Sequence, residues 1–334
     1  MQGVGKQRMK DINRKSVMRL LMQAESVSQT AMMSATGLKK ATISVLTNEL
    51  REMGLVSEAG EGSLSCKGGR RQQYLRLEQK KITAFGASLR PGGIRCGLCS
   101  LDGCLLSSEI IPLQGYAIED WAPLITQRVR AAARKSRQSH LFYTGAGFIT
   151  GSTYNPEKKE FIGFSQCDAP HQRLSTLFND TMTAGDDYPN GMALGEMWFG
   201  VAKGLRNFLY LQLRNPKVTL VIDGKIYRGA RHVAGEVSAT HTGTERLGPR
   251  INAGPAIFND EAFLDWVADL NRYYDPEKIV LSAENLLPGL LENLALLNRR
   301  AGGNIVLGAL GESDSPRASA ALVFEAYFDS NVIQ

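Results

Sequence analysis

The 334-residue chain is poor in the residues that build chemical sites by themselves. It has five cysteines, four histidines and three tryptophans. An odd cysteine count in a chain this long does not make a disulfide framework, so a reducing, cytoplasmic setting is expected. Cys96 and Cys99 have metal-like spacing, with Cys104 close behind. They fall in a strand-like hairpin with no histidine near in sequence, so buried structural thiols are expected instead. No apolar run reaches the ~18–20 residues of a membrane helix. The basic stretch 1–15 has no apolar segment behind it, so no signal peptide is expected either.

What is present is unevenly spread. The length suits two or three domains. Residues 1–80 hold 14 Lys and Arg against seven Asp and Glu, whereas the rest of the chain holds 25 against 26. The whole basic excess therefore lies in the first quarter. A basic excess confined to a small separate domain is the electrostatic footprint of nucleic-acid binding.

The pattern of that quarter agrees. Val17, Leu20, Leu21 and Ala24 recur at helical spacing. A short helix is expected from about Ser28 to Ala35, interrupted by Thr36-Gly37-Leu38, where Gly37 can take a positive φ. Ile43, Leu46, Leu50 and Met53 mark a third helix from Lys39 to Met53, stopped by Gly54. Leu55-Val56 and Tyr74-Leu75-Arg76-Leu77 read as short strands. Between them lies a Gly/Ser loop from Gly60 that ends in basic residues. Three helices and a two-stranded wing make a winged helix-turn-helix. Lys39 and Lys40 at the start of the third helix oppose its dipole and displace the usual Ser, Thr, Asp or Asn cap. A placement that is poor for stability makes sense if the partner is a phosphate backbone. The third helix is thus expected in the major groove of double-stranded DNA, with Thr42 and one lysine at base edges. The other lysine and Ser44 would lie on the backbone, and Lys67, Arg70 and Arg71 of the loop on phosphate or minor groove.

Several motifs carry a resemblance. Asn13-Arg14, Thr36-Gly37-Leu38, Ala41-Thr42-Ile43-Ser44, Glu49-Leu50, Gly54-Leu55-Val56 and Gly68-Gly69-Arg70-Arg71 resemble the DNA-binding domain of ROK-family repressors, the xylose and N-acetylglucosamine repressor type. Gly86-Ala87-Ser88, Leu101-Asp102-Gly103, Ala193-Leu194-Gly195-Glu196, the segment 222–229 and Ala234-Gly235-Glu236 resemble the sugar-kinase-like domain that follows it in that family. The resemblance implies a winged domain at 1–80 and an actin-like, two-lobed α/β ROK domain at 81–334, with lobes at approximately 81–190 and 191–334. It also implies a transcription regulator, a repressor of carbohydrate-related genes by family habit, acting as a homodimer or higher homo-oligomer on palindromic sites.

The kinase parts implied by the family are missing. Its acidic first hairpin with a glycine-rich turn reads Ser88 and Arg90-Pro91-Gly92-Gly93 here, and its second glycine-rich turn reads Arg214-Asn215-Pro216-Lys217. Proline removes an N–H donor from a phosphate cradle. By register, Tyr188 takes the place of the catalytic Asp and Asp187 that of the preceding Asn. No catalytic residue, cofactor or metal is therefore expected, and a sugar kinase with an accessory domain is the alternative. Of the positions that hold sugar hydroxyls in the family, Asn190 and Glu236 remain, with Asp187 as a substitute. A sugar or sugar-phosphate effector at these three residues is one expectation. A ligand-independent regulator that uses this domain only for oligomerisation is the other.

Overall fold

The computed structural model describes residues 2–61, 73–90, 93–113, 118–162, 172–173, 178, 181–213, 215–242, 245–252, 257, 260–283 and 289–329. The elements run α1 (Gln2–Gln23), β1 (Val27–Ser28), α2 (Gln29–Thr36), α3 (Lys40–Glu52), β2 (Val56–Glu61) and β3 (Gln73–Leu77). Then come β4 (Ile82–Arg90), β5 (Gly93–Ser100), β6 (Leu105–Pro112), α4 (Ile118–Gln138) and β7 (Phe142–Thr150). A small sheet of β8 (Thr153–Asn155), β9 (Glu160–Ile162) and β10 (Gln172–Arg173) precedes β11 (Thr183–Asp187) and α5 (Tyr188–Phe199). The remainder comprises β12 (Phe208–Gln212), β13 (Lys217–Ile222), β14 (Lys225–Tyr227), the ribbon β15 (His241–Thr242) and β16 (Glu245–Arg246), and α6 (Leu247–Asn252). It ends with α7 (Glu261–Tyr274), β17 (Lys278–Leu281), α8 (Leu290–Ala301), β18 (Ile305–Leu307) and α9 (Ser315–Phe328).

Two five-stranded sheets repeat one plan. In the first, β4, β5 and β6 form an antiparallel meander, and β7 and β11 add in parallel beyond β4. In the second, β12, β13 and β14 form the meander, and β17 and β18 add in parallel beyond β12. This duplicated α/β unit is the expected two-lobed architecture. Helix hydrophobicity explains the layering. α4 is amphipathic and lays Trp121, Ile125 and Val129 on the outer face of the first sheet. α7 and α8 cover the second sheet with Phe263, Leu264, Val267 and Leu297. α5 and α9 are apolar nearly all round and lie buried between the sheets. α9 approaches so closely that a Cβ on Gly86 would stand 1.8 Å from the Pro316 carbonyl oxygen, and one on Gly147 1.8 Å from that of Ser319. The last helix therefore returns from the second half of the chain to pack on the first sheet.

The N-terminal module has three helices and the sheet order β1-β3-β2. Its core of Val17, Met18, Leu21, Met32, Ile43, Leu46, Leu50 and Leu75 is continuous with Ile82, Ala84, Val323, Phe324, Tyr327 and Phe328. The ammonium of Lys15 sits 4.5 Å above the Tyr327 ring. The two-residue strand β1 is too short to be seen in the sequence pattern. Among the described residues, no helix is long and apolar enough to cross a membrane.

Candidate DNA interface and effector site

The turn between α2 and α3 forms as its residues dictate. The Ser28 hydroxyl caps α2 by accepting from the Ala31 N–H (3.2 Å). Gly37 closes the helix at φ 69°, and its N–H donates to the Met33 carbonyl (2.9 Å). α3 then starts without a cap. Lys39 occupies the N-cap position with extended backbone and makes no side-chain cap hydrogen bond, and the first turn holds no acidic residue. Lys39 and Lys40 are exposed. Among the described residues neither is paired with a carboxylate.

Helical geometry sorts the rest of α3. Ile43, Leu46, Thr47 and Leu50 are buried, and Gln29 donates to the Thr47 hydroxyl (3.1 Å), tying α2 to α3. The opposite face carries Ala41, Val45, Asn48 and Glu52. Thr42 and Ser44 are half-buried on opposite flanks of that face. Val45 is 53% exposed, and Asn48 accepts from Arg51 (3.1 Å). Sequence reading missed Val45 and Asn48, although a heptad-like count outward from Ile43 points to both. Lys67, Arg70 and Arg71 lie outside the described residues.

The second site forms where β11 runs into α5. Asp187 caps α5, its Oδ1 accepting from the Asn190 N–H (3.0 Å). The Asn190 Nδ2 donates to Asp186 Oδ1 (3.0 Å) and to Asp187 Oδ2 (2.9 Å), and its Oδ1 accepts from Thr219 (2.9 Å). Arg228 pairs with Asp186. The Lys217 ammonium bridges Asp187 Oδ2 (2.9 Å) and Glu236 Oε1 (2.7 Å). Glu236 is delivered by backbone packing. Val218 N–H donates to the Gly235 carbonyl (2.9 Å), and a Cβ on Gly235, at φ 81°, would stand 1.7 Å from the Val218 carbonyl oxygen. The structure thus brings Asp187, Asn190 and Glu236 together and adds Lys217, which sequence reading placed only in a lost phosphate turn. One local signal was available: a lysine opening the apolar strand Val218–Val221 needs a partner.

Charge in this cluster is tightly constrained. Three carboxylates (Asp186, Asp187 and Glu236) face two cations, Lys217 and Arg228. Burial, reinforced by Asp186, pushes the Asp187 carboxyl up to about 6, although Lys217 and the Asn190 N–H pull the other way. Burial pulls the Lys217 ammonium down, but Asp187 and Glu236 outweigh it and hold it above its ordinary value. Glu236 has 47% of its side chain exposed, against 7% for Lys217. It also lines an open cleft of about 400 Å³ with Asn215, Pro216, Ser238 and Arg246.

The kinase-like positions are filled by other chemistry. The Arg90 guanidinium lies 4.3 Å from the centre of the Tyr188 ring. The Ser315 hydroxyl donates to that of Ser88 (2.9 Å). Pro91 and Gly92 lie outside the described residues. Cys96 and Cys99 are buried in the first sheet, and burial pushes both thiols up to about 12; Cys104 is exposed. Among the described residues, no cluster of three His, Cys, Asp or Glu side chains is placed to hold a metal.

No family model matches the chain. It is 27% identical over 237 residues to the xylose repressor of Caldicellulosiruptor bescii, covering 70% of this chain and 59% of that protein. It is 23% identical over 254 residues to the N-acetylglucosamine repressor of Escherichia coli O6:H1, covering 73% and 60%. The chain spans about three-fifths of the length of these curated relatives. Among solved structures it is similar to a ROK-family transcriptional regulator, a homologue of the E. coli MLC protein. The TM-score is 0.71 at 16% identity, over 96% of this chain and 97% of that one. It is also similar to the ROK hexokinase of Thermus thermophilus, with TM-score 0.56 and 20% identity over 73% and 99% of the two chains. In sequence and in fold, the chain resembles the ROK-family transcriptional regulators.

Proposed function

We propose that this chain is a sequence-specific DNA-binding transcription regulator, a repressor of carbohydrate-related genes that works as a cytoplasmic homodimer and has no kinase activity. The observation that carries this reading is the start of α3. Lys39 and Lys40 stand exposed at an uncapped helix N-terminus, unpaired among the described residues, beside an outward face of Ala41, Val45 and Asn48. A fold gains nothing from that arrangement, whereas a duplex phosphate backbone gains two cations. Asn48 has the side chain that reads adenine bidentately, and Val45 offers a methyl surface to thymine. Thr42 and Ser44 flank them, and Lys67, Arg70 and Arg71 remain the wing contacts. The names of the curated relatives, xylose and N-acetylglucosamine repressors, support the repressor reading. Against a kinase stands Tyr188, which is packed under Arg90 where the family carries its catalytic carboxylate.

The test is selection of a binding duplex from a random pool, followed by anisotropy titration at low and physiological salt. The wild-type chain should bind the selected duplex with a steep salt dependence. Replacing Lys39 and Lys40 together by Ala should weaken binding by about tenfold or more at low salt and flatten the salt slope by up to about two. Unchanged affinity in that variant would show that α3 is not the reading helix. Release of ADP with glucose, xylose or N-acetylglucosamine, lost in Asp187→Asn, would restore the kinase.

A further inference from the structure

Two of the three residues proposed to hold an effector, Asp187 and Asn190, have little left to hold it with. Both N–H donors of the Asn190 amide and its carbonyl oxygen are taken by Asp186, Asp187 and Thr219. Both oxygens of Asp187 are taken, one by the Asn190 backbone and the other by Asn190 and Lys217. Asp186, Asp187, Asn190 and Lys217 are all buried. A sugar is recognised by hydroxyls that donate to carboxylates and accept from amides. Here the Asn190 amide is fully engaged and both Asp187 oxygens already accept hydrogen bonds, while Glu236, with one oxygen on Lys217, is the member that still faces the cleft. The Lys217 ammonium, a compact cation with three donors, lies between the two carboxylates that a bound hydroxyl pair would need. Moving it out would leave Asp187 buried beside Asp186 with no neighbouring ammonium.

We propose that Lys217 is a built-in occupant of the effector position, so that the site excludes neutral sugars and accepts a small alkylammonium only when the lysine side chain is cut away. The placement of that position rests on the ROK-like reading of Asp187, Asn190 and Glu236. The occupancy by Lys217 rests on the distances alone. The wing-bearing module and the occupied site then work independently: DNA affinity is set by α3 and is insensitive to xylose, glucose or N-acetylglucosamine.

The experiment uses the full chain. In the wild type, xylose, glucose or N-acetylglucosamine at about 10 mM should leave the melting temperature unchanged, since a ligand that does not bind gives no linkage shift. In Lys217→Ala, ethylammonium chloride should raise the melting temperature saturably, by roughly 2–4 °C above a sodium chloride control. Wild type and Lys217→Met, whose cavity stays filled, should show no such rise. Saturable binding of any of the three sugars to the wild type, abolished by Glu236→Gln, overturns the proposal. So does a folded Lys217→Ala that ignores ethylammonium. If Lys217→Ala does not fold, acetylation of the native wild type decides. Lys217 should label at least tenfold more slowly than exposed Lys39 and Lys40, and equal labelling overturns the proposal. The Lys39 and Lys40 variants read DNA binding alone, so this inference and the proposed function fail by separate measurements.

Discussion

Lys39 and Lys217 each stand at the start of a secondary-structure element, and the fold treats them in opposite ways. Lys39 takes the N-cap of α3, exposed, with no cap bond and, among the described residues, no carboxylate paired with it. Lys217 opens β13, buried, with two carboxylates within 2.9 Å. A lysine satisfied by its own chain serves stability or closure. A lysine set against a helix dipole and left unpaired costs a little stability and keeps its charge for a partner. On the proposed reading, the first of these lysines faces a partner and the second is held inside the chain.

The largest effect should come from breaking the inward arrangement. Lys217→Met keeps the volume and removes the charge. Removing one partner of a buried pair costs about 3–5 kcal/mol, read as a lower urea midpoint at pH 8. The loss should shrink toward pH 5, where Asp187 takes up a proton. The same change at Lys39 should leave stability nearly untouched. Equal losses at the two sites would erase the comparison.

The next effect is the pH dependence of Asp187. Its carboxyl titrates near 6 in the folded chain, above its ordinary value of 3.8. The folded state therefore holds this proton more firmly than the unfolded state does. The stability this contributes is complete below about pH 4 and is lost as pH rises through 6. Asp187→Asn keeps the cap and removes the titration. Relative to that variant, the wild type should lose about 2–3 kcal/mol between pH 4 and pH 7. A difference that stays flat with pH would mean that Asp187 is fully ionised by its Lys217 pairing.

How much of this was legible follows from sequence distance. The winged module was readable because its signals are local: helical spacing from Val17 to Ala24 and Ile43 to Met53, the Gly37 turn, and the missing cap at Lys39. Even there, α1 begins fifteen residues before Val17, where its apolar pattern starts, and β1 pairs with residues almost fifty positions away. The return of α9 to the first sheet was hidden because Gly86 and Gly147 announce a close approach without naming its partner. Asp187, Asn190 and Glu236 were found through family resemblance. The lysine between them lies 30 residues from one partner and 19 from the other. No periodicity links such positions, and only the fold brings them together.

A smaller effect sharpens the outward side. Lys39→Ser supplies the cap that α3 lacks and should raise stability by about 1 kcal/mol. If Lys39 holds a phosphate as proposed, affinity for a selected duplex should fall and the salt slope should drop by about 0.9. Opposite signs for folding and binding are the signature of a residue kept for its partner. A variant that gains stability and keeps its DNA affinity would place Lys39 outside the interface.

The smallest stability effect belongs to Asn48, on the exposed face of α3. Its side chain accepts one surface hydrogen bond from Arg51, and Asn48→Ala should shift stability by less than about 0.5 kcal/mol. If Asn48 reads a base, the loss appears elsewhere. Discrimination at one position of the selected duplex should relax by about 1–3 kcal/mol, while affinity for unrelated duplexes and the salt slope stay as they were. A phosphate contact would behave in the reverse way, weakening every duplex alike. Measured together, Asn48→Ala and Lys39→Ser therefore separate the part of α3 that reads sequence from the part that only holds the backbone. A uniform loss in both variants would leave α3 as a charged surface without a code.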